Sequence, residues 1–269
     1  MVTLRPLTHG DFDAVHATFL EAFRDYIVQM QLTREQFLEM ITRRGWVPEA
    51  SVGAFEGPTM VAFTLNAIEN DQAYDTGTGV IPRYRRQGVG RETMERSFEL
   101  LRARGVRHYI LEVLEENAKA FELYRSCGFE ETRRFQCWML ESQSLRGTES
   151  QSTEPLRRCN SETLRLWWDI EPSWQNSTAS LARATDTHVT LGDDDGYIVV
   201  FPSTGDVPQM AVRHEARRRG VGTRLVASAA ALAQKPLRFI NVDDRDEGIA
   251  RFFEHIGVRR TVRQIEMAR

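Results

Sequence analysis

The chain has 269 residues, 41% of them hydrophobic, which is enough to bury one large core or two ordinary ones, and this length favours two domains. Its formal net charge of −3 at pH 7 argues against a protein whose whole surface is built for nucleic acid or anionic membranes. Three cysteines, Cys127, Cys137 and Cys159, have neither CxxC nor zinc-ligand spacing, which argues against a disulfide framework or a structural metal.

The first half of the chain predicts a mixed α/β domain. It begins with the strand VTLRPL, and Phe12, Val15 and Phe19 then recur at helical spacing behind a cap at Asp11. A second helix in REQFLEMITRRG precedes an antiparallel meander of three strands, SVGAFEG, TMVAFTLNAI and AYDTGTGVI. A helix ending at Gly105, the strand HYILEVL, the helix NAKAFELYRSCGF and the strand RRFQCWML complete this half near residue 142.

The second half repeats this order after a polar linker, SQSLRGTESQST, at 142–153. Gly220 lies 132 residues after Gly88, and Gly257 lies 129 residues after Gly128, so the two copies keep nearly the same spacing. We therefore predict two tandem domains, residues 1–142 and 153–269. Each is expected to be a mixed, mostly antiparallel sheet flanked by helices.

Each half carries an arginine-flanked glycine turn, RYRRQGVGR at 83–91 and RHEARRRGVGTR at 213–224. Such a turn opens a helix whose first N–H groups have no internal partner, and these groups bind phosphate together with the helix dipole. The surrounding arginines suit a polyanion. The alternative is an ordinary glycine-rich turn with solvated arginines. Neither copy has the Lys-Ser or Lys-Thr of a nucleotide-hydrolase loop, nor the third glycine of a dinucleotide fingerprint.

The stretch VIPRYRRQGVG, with LEVLEENAKAFELYRSCGF downstream, resembles the acetyl-CoA-binding core of the Gcn5-related N-acetyltransferase (GNAT) superfamily. The resemblance covers about residues 2–142, and the two halves together resemble tandem acetyltransferases. It implies that the turn holds the pyrophosphate of acetyl-CoA and that the backbone of the preceding strand pairs with the pantetheine arm. The cofactor-binding residues so implied are Thr78, Gly79, Val80, Arg85, Arg86, Gln87, Gly88, Val89, Gly90, Arg91 and Asn117.

Two downstream residues are candidates for the chemistry. Acetyl transfer to an amine needs a deprotonated nucleophile and a proton for the departing thiolate. Tyr124 is the candidate proton donor, seven residues after Asn117, and its alternative is a core aromatic residue. Glu112 matches the position of a general base in many relatives, although it could instead lie at a solvated sheet edge or only orient the amine. For Asn117, helix capping and cofactor contact are compatible.

The second copy retains the glycine turn but lacks the candidate base and the candidate proton donor. A second candidate CoA site comprises Val212, Arg217, Arg218, Arg219, Gly220, Val221 and Gly222. At the 129-residue offset, the positions of Glu112, Asn117 and Tyr124 correspond to Asn241, Asp246 and Phe253 in the second copy. Because a phenylalanine has no proton to donate, we predict a degenerate, non-catalytic second domain.

These features predict an acetyl-CoA-dependent N-acetyltransferase that acts from its first domain on a primary amine without a metal. The acceptor is expected to be a small molecule, with a protein acceptor left open. The rival hypothesis is an acyl-CoA-binding sensor or scaffold without turnover, and nucleic-acid binding is disfavoured. Without a signal peptide or an apolar membrane span, a cytoplasmic protein is expected. The oligomeric state is not indicated.

Overall fold

A computed structural model describes residues 1–28, 30–141, 157–158 and 165–269, with the side chains of 157–158 excepted. The predicted linker at 142–153 and Cys159 lie outside the described residues. The chain forms two compact units. The first comprises Met1–Thr132, Ala182–Thr185 and Glu266–Arg269, and the second comprises Arg133–Leu181 and Asp186–Ile265.

The first unit has the predicted order of helices and strands. It contains β1 (Val2–Pro6), α1 (Phe12–Ala22), α2 (Arg34–Arg44), β2 (Val52–Glu56), β3 (Thr59–Glu69), β4 (Gln72–Val80), α3 (Val89–Arg102), β5 (His108–Leu114), α4 (Ala118–Ser126) and the start of β6 (Glu130–Leu140). Strands β1 to β4 form an antiparallel meander, and β5 lies parallel to β4. The mixed sheet flanked by helices is therefore confirmed for this unit.

The ends of the first two helices follow from local sequence. Asp11 occupies the N-cap position of α1, as predicted, but its carboxylate does not cap that helix. It accepts hydrogen bonds from the Thr8 N–H and hydroxyl and from Arg5 instead. Helix α2 begins with a capping box between Thr33 and Gln36 and ends at Gly45, whose φ of 89° a glycine adopts without strain. Both helices pack their apolar faces into one core with β2 and β3.

Strands β4 and β5 separate part of the way along the sheet. They pair over Gln72–Tyr74 and His108–Ile110, and the pairing ends there. Strand β4 continues along β3, but its register shifts because Thr76 is an extra, bulged residue between Asp75 and Gly77. A bulge bends its strand away from its neighbours. The sheet therefore opens between the second half of β4, Asp75–Val80, and the end of β5; we call this gap the opening.

The second unit repeats this plan. Its elements are the remainder of β6, β7 (Arg157–Arg158), most of α5 (Thr178–Arg183), β8 (Val189–Gly192), β9 (Gly196–Val200), β10 (Gln209–Val212), α6 (Val221–Leu232), β11 (Leu237–Asp243), α7 (Glu247–His255) and most of β12 (Arg259–Ala268). Strands β7 to β10 form an antiparallel sheet, and β11 pairs antiparallel with β6. Its core includes Trp138, Phe239 and Phe253.

Strands β6 and β12 are each divided between the two units, and their pairing explains the division. Trp138 and Leu140 of β6 pair with β11 in the second unit. The last residue of the chain, Arg269, exchanges two backbone hydrogen bonds with Tyr109 of β5 in the first unit, each 2.9 Å long. Most of β6 thus groups with the second unit, and the last residues of β12 group with the first.

Candidate active site

The first glycine turn presents backbone N–H groups to solvent. Arg86 and Gly88 have left-handed backbone conformations, with φ of 61° and 85°, and Gly88 is the N-cap residue of α3. The N–H groups of the first turn of α3 have no partner within the helix. Gly90 is closely packed, since a Cβ atom there would lie 3.2 Å from Val80 Cγ2 and the valine side chain would have to shift. An anion can therefore approach the backbone closely at this turn.

The arginines of this turn have different roles. Arg85 Nε donates to the carbonyl of Val80, and its two terminal nitrogens donate to the Asp25 carboxylate at 2.6 and 2.8 Å. This pairing lowers the pKa of Asp25 to about 2. Arg91 pairs with Glu95 on α3, whereas Arg86 lies exposed beside Gln87 and Gly88. Arg85 thus connects the turn to the segment after α1. The sequence did not predict this contact, because Asp25 lies 60 residues away from Arg85.

Asn117 caps α4 and also contacts a tyrosine that the sequence did not single out. Its Oδ1 accepts a hydrogen bond from the Ala120 N–H at 3.3 Å, as a helix cap does. Its side chain also forms a hydrogen bond with the Tyr26 phenol. Burial raises the pKa of Tyr26, and this hydrogen bond opposes the rise. Nothing in the sequence pattern singled out Tyr26, which lies in the segment just after α1.

Tyr124 lies near the C-terminal end of α4 and is buried, with 7% of its surface exposed. Its ring packs edge-on against Phe129, with 6.0 Å between the ring centroids. Burial and the carboxylate of Asp75 raise the pKa of Tyr124 well above its ordinary value, and a hydrogen bond with Thr78 partly opposes them. The phenol is therefore protonated at neutral pH, as a proton donor must be.

Glu112 lies on the other face of β5 from the core. Tyr109, Leu111 and Val113 are buried along this strand, while Glu112 between them is half-buried. The Tyr74 hydroxyl donates a hydrogen bond to Glu112 Oε2 at 3.1 Å. Burial and the charge of Glu112 raise the pKa of Tyr74 well above its ordinary value, so Tyr74 stays a donor. Both residues lie where the pairing of β4 with β5 ends.

The structure thus assembles most of the predicted residues around the opening. Thr78, Gly79 and Val80 form its β4 edge, and Gly79 has no room for a side chain because a Cβ atom would lie 2.7 Å from Phe63 Cζ. Tyr124 contacts this edge through Thr78, and Tyr26, which forms a hydrogen bond with Asn117, lies close enough to Tyr124 to influence its pKa. An extended ligand with a phosphate group at one end fits this arrangement, with its phosphate at the turn and the rest of the ligand along β4.

The second unit keeps the backbone of the turn. Arg218 and Gly220 have φ of 61° and 81°, almost the same as Arg86 and Gly88. Arg217 Nε donates to the carbonyl of Val212, and Arg217 pairs with Asp169 at 2.6 Å, as Arg85 does with Val80 and Asp25. Arg219 is exposed, and Val221 and Gly222 begin α6. The anion-binding backbone is therefore duplicated.

The downstream residues of the second unit serve packing. Phe253 is 1% exposed and contacts Trp138 and Phe239 with its ring. Asn241 is buried, donates to the Ser173 hydroxyl at 3.3 Å and accepts from Gln264 at 2.8 Å. Asp246 caps α7 by accepting a hydrogen bond from the Ile249 N–H. The second unit thus has no hydroxyl at the place of Tyr124 and no carboxylate at that of Glu112.

In the described part of the chain, no group of three or more histidine, cysteine, aspartate or glutamate side chains is arranged to hold a metal ion. None of the helices in that part is long and apolar enough to cross a membrane.

The sequence matches the model of the acetyltransferase (GNAT) family over residues 14–129 and 156–258. Each matched region contains one of the two glycine turns. Among curated proteins, the chain is 42% identical over 72 residues to the ribosomal protein bS18-alanine N-acetyltransferase of Escherichia coli (strain K12), which is 27% of this chain and 49% of that protein. The corresponding enzyme of Salmonella typhimurium is 39% identical over a stretch of the same length. The chain therefore spans about half the length of the curated relatives it matches.

Solved structures resemble the whole chain in fold. A GCN5-related N-acetyltransferase from Sphaerobacter thermophilus has a TM-score of 0.74 at 14% identity, covering 100% of this chain and 95% of that one. A tandem GNAT protein from the clavulanic acid biosynthesis pathway has a TM-score of 0.72 at 15% identity, covering 100% of this chain and 98% of that one. At these identities the likeness concerns the fold alone, and it agrees with the predicted pair of repeats.

Proposed function

The chain belongs to the acetyltransferase (GNAT) family, and we propose that its first unit transfers the acetyl group of acetyl-CoA to a primary amine. Of the two glycine turns, only the first is followed by a buried, protonated tyrosine and a carboxylate at the opening in the sheet. The proposal rests on that difference between the two copies. Family membership supports acetyl-CoA as the acetyl donor.

Binding of acetyl-CoA is assigned to the turn and the β4 edge. The N–H groups at the start of α3 and the exposed Arg86 would hold the pyrophosphate. The backbone of Thr78–Val80, on the edge that β5 leaves unpaired, would hydrogen-bond the pantetheine arm. Asn117 would contact the same arm from the start of α4. Arg85 would act indirectly, since it already braces the turn through Val80 and Asp25.

The transfer step requires two proton movements. The amine nitrogen bonds to the thioester carbon, the carbon–sulfur bond breaks, and its electron pair leaves with sulfur. Tyr124 gives its phenolic proton to the thiolate, and Glu112 accepts the proton that the amine loses. One proton leaves the nitrogen and one reaches the sulfur, so the step balances, and proton exchange with solvent then returns Glu112 and Tyr124 to their starting states. The hydrogen bond from Tyr74 fixes the Glu112 carboxylate.

Replacing Glu112 with glutamine separates the two roles left open for it. If Glu112 is the base, kcat/KM should fall by about a hundredfold near neutral pH. Part of the loss should return at high pH, where the amine is deprotonated in solution. If Glu112 only orients the acceptor, KM for the amine should rise with kcat unchanged. Glu122→Gln, on the exposed side of α4, serves as the control and should match the parent at every pH.

The second unit is proposed not to catalyse transfer. Phe253 has no proton to give, and Asn241 is occupied by Ser173 and Gln264. Its retained turn is compatible with a CoA molecule bound without turnover. A calorimetric titration with CoA decides this point: two molecules per chain indicate an occupied second turn, and one indicates a structural relic.

The acceptor has two candidate classes. A small-molecule amine is the first. A protein α-amine is the second, and it is favoured by the curated relatives, which are named for acetylating an alanine of a ribosomal protein. Purified protein should be incubated with acetyl-CoA and a panel of small amines, polyamines and peptides with N-terminal alanine, and free thiol should be measured. Amine-dependent release of free thiol supports the acetyltransferase. Tight binding of acetyl-CoA with no thiol released in the presence of any acceptor supports an acyl-CoA-binding sensor.

A further inference from the structure

Gly77 leaves open space beside β4 at the opening. It directly follows the bulged residue Thr76 and is half-buried. A Cβ atom built on Gly77 would meet no atom of the described residues within 4 Å, whereas a Cβ atom on Gly79 would lie 2.7 Å from Phe63 Cζ. The φ of Gly77 is outside the left-handed region, so its backbone does not require glycine. The absent side chain therefore leaves room that neither the backbone nor the packing of the described residues requires.

The pairing of β4 with β3 shows on which face of the sheet this space lies. Phe63 and Leu65 are two residues apart in β3, so their side chains point to the same face. They pair with Gly79 and Gly77, and the Phe63 ring contacts Phe19 of α1. Both phenylalanines belong to the core that α1 and α2 share with this sheet. Gly77 thus faces the side of the sheet on which α1 and α2 pack.

The candidate base lies on the same face. Ala67 is two residues after Leu65 in β3, and it pairs with Tyr74. Tyr74 and Gly77 therefore share a face. The Tyr74 hydroxyl donates to Glu112, which brings this carboxylate to the same side of β5. The group that would accept the amine proton thus lies on the α1–α2 side.

Gly77 and Glu112 also lie at the same level of their strands. The last pair of β4 with β5 is Tyr74 with Ile110. Thr76 is an extra residue in β4, and a bulged residue shares one strand position with its neighbour. Gly77 and Glu112 are then each two positions beyond the last pair, on either side of the opening.

Tyr124 reaches the opening from the other face. Thr78 forms a hydrogen bond with Tyr124 and one with Thr64, whose hydroxyl contacts that of Thr93 in α3 at 3.2 Å. The departing thiolate would therefore receive its proton on the α3 side, while the amine would lose its proton on the α1–α2 side. Arg44 at the end of α2 bounds the latter side, where its Nη1 donates to the carbonyl of the bulged residue at 2.8 Å.

The second unit fills the corresponding space with a side chain. Gln209 stands eleven residues before the N-cap glycine of α6, as Gly77 stands before that of α3. Its Nε2 donates to the Asn176 carbonyl at 2.8 Å, and its Oε1 accepts from the Tyr197 hydroxyl at 3.3 Å. The Asn176 Nδ2 in turn donates to the Ile240 carbonyl of β11 at 2.7 Å. These buried groups connect β10 with β11, two strands that belong to different sheets.

We propose that Gly77 is a specificity-determining residue for the amine acceptor, whose substituents on the carbon that bears the nitrogen lie in the space beside Gly77, with the nitrogen toward Glu112. The inference rests on the proposed function, in which Glu112 and Tyr124 act on the two faces of the opening. It assigns the α1–α2 face to the acceptor, and it leaves the turn and the β4 edge to acetyl-CoA. In the second unit, Gln209 excludes an acceptor from the corresponding place.

The test is to give the first unit the side chain of the second, as Gly77→Gln in the full chain. The glutamine should lower kcat/KM for an accepted amine by at least about a hundredfold, because it occupies the place of the acceptor. The Kd for acetyl-CoA, measured by calorimetry without amine, should stay close to that of the parent. Parent-like kcat/KM overturns the inference. So does a rise in the Kd as large as the loss in kcat/KM, which would assign the space to acetyl-CoA.

Gly77→Ala adds one methyl group and tests the size of the space. Its probes are peptides that begin with glycine, alanine or valine, or a small accepted amine and its analogues with added methyl groups beside the nitrogen. The loss of kcat/KM relative to the parent should grow along the series, to about tenfold or more for the bulkiest acceptor. A purely structural effect would be the same for every acceptor, and that result overturns the inference.

Gly10→Ala is the matched control. Gly10 is exposed, its φ is also outside the left-handed region, and an added Cβ atom would lie 3.5 Å from Thr8 Oγ1, an ordinary contact. Replacing such a glycine restricts the unfolded chain, so both alanine variants should melt at or slightly above the Tm of the parent. Gly10→Ala should keep the parent kcat/KM for every acceptor. An equal loss in both variants, or a Gly77→Ala that does not fold, overturns the inference.

Failure of the proposed function has a different signature. If the parent protein releases no thiol with any amine, acetyl transfer itself is wrong, and the role of Gly77 falls with it. If the parent is active and both Gly77 variants match it, the proposed function stands and the assignment of the acceptor to this space is wrong.

Discussion

Tyr124→Phe is expected to lower kcat by at least about a hundredfold, which corresponds to about 2.7 kcal/mol of transition-state stabilisation. The substitution removes one oxygen from a buried ring and leaves the contact with Phe129 in place. Without the phenol, the thiolate must leave unprotonated or take its proton from water. Since the phenol acts when the carbon–sulfur bond breaks, KM for acetyl-CoA should change little.

The control for this substitution is Tyr197→Phe. Tyr197 is a fully buried tyrosine of the second unit whose hydroxyl contacts Trp168 and Gln209. Its loss should lower stability without changing kcat. Steady-state thiol release for both variants, with melting curves, separates a chemical effect from an effect on folding. Parent-like kcat in Tyr124→Phe would remove Tyr124 from the transfer step.

The second large effect is expected at the glycine turn, where the same substitution can be made in both copies. Gly88→Glu places a side chain at a φ of 85° and a carboxylate at the start of α3. The backbone strain lowers the stability of the free and bound forms alike by about 1–2 kcal/mol, whereas the like charge beside the pyrophosphate weakens binding by several kcal/mol. KM for acetyl-CoA should therefore rise by about a hundredfold or more.

Gly220→Glu repeats the change in the second unit, at a φ of 81° and at the start of α6. Its local strain and charge are nearly the same, so it controls for the general effect of a glutamate at a helix start. Its KM for acetyl-CoA should remain within about twofold of the parent. A large rise in KM from Gly220→Glu alone would mean that the second turn binds the acetyl donor used in catalysis.

Much of the fold could be predicted because its determinants are local. The strands and helices follow from the periodicity of apolar residues, and the glycines stand where the chain has positive φ, at Gly88, Gly128 and Gly220. The shared arginine and glycine motif located the second turn, which has almost the same backbone conformation as the first. The pairing of Arg269 with Tyr109 could not be predicted, because repeats of equal order do not show which strand completes which ladder.

The candidate site was predictable only in part, for a similar reason. Glu112, Asn117 and Tyr124 follow the turn in sequence, and they were singled out by that spacing together with the resemblance to the GNAT superfamily. The opening depends on where the pairing of β4 and β5 ends and on the bulge at Thr76, and both are set by packing. Asp25 and Tyr26 reach the site from the end of α1, and Asp75 lies in a strand whose residue pattern does not show that its carboxylate is buried.

If the first copy alone transfers the acetyl group, its loss and a change in the second copy should have very different effects. Amine-dependent thiol release from acetyl-CoA should be measured in Tyr124→Phe and Gly220→Glu side by side, with the parent protein and one accepted amine. We expect a loss of about a hundredfold or more in Tyr124→Phe and a rate close to that of the parent in Gly220→Glu. Equal losses in the two variants would show that transfer does not belong to the first copy alone.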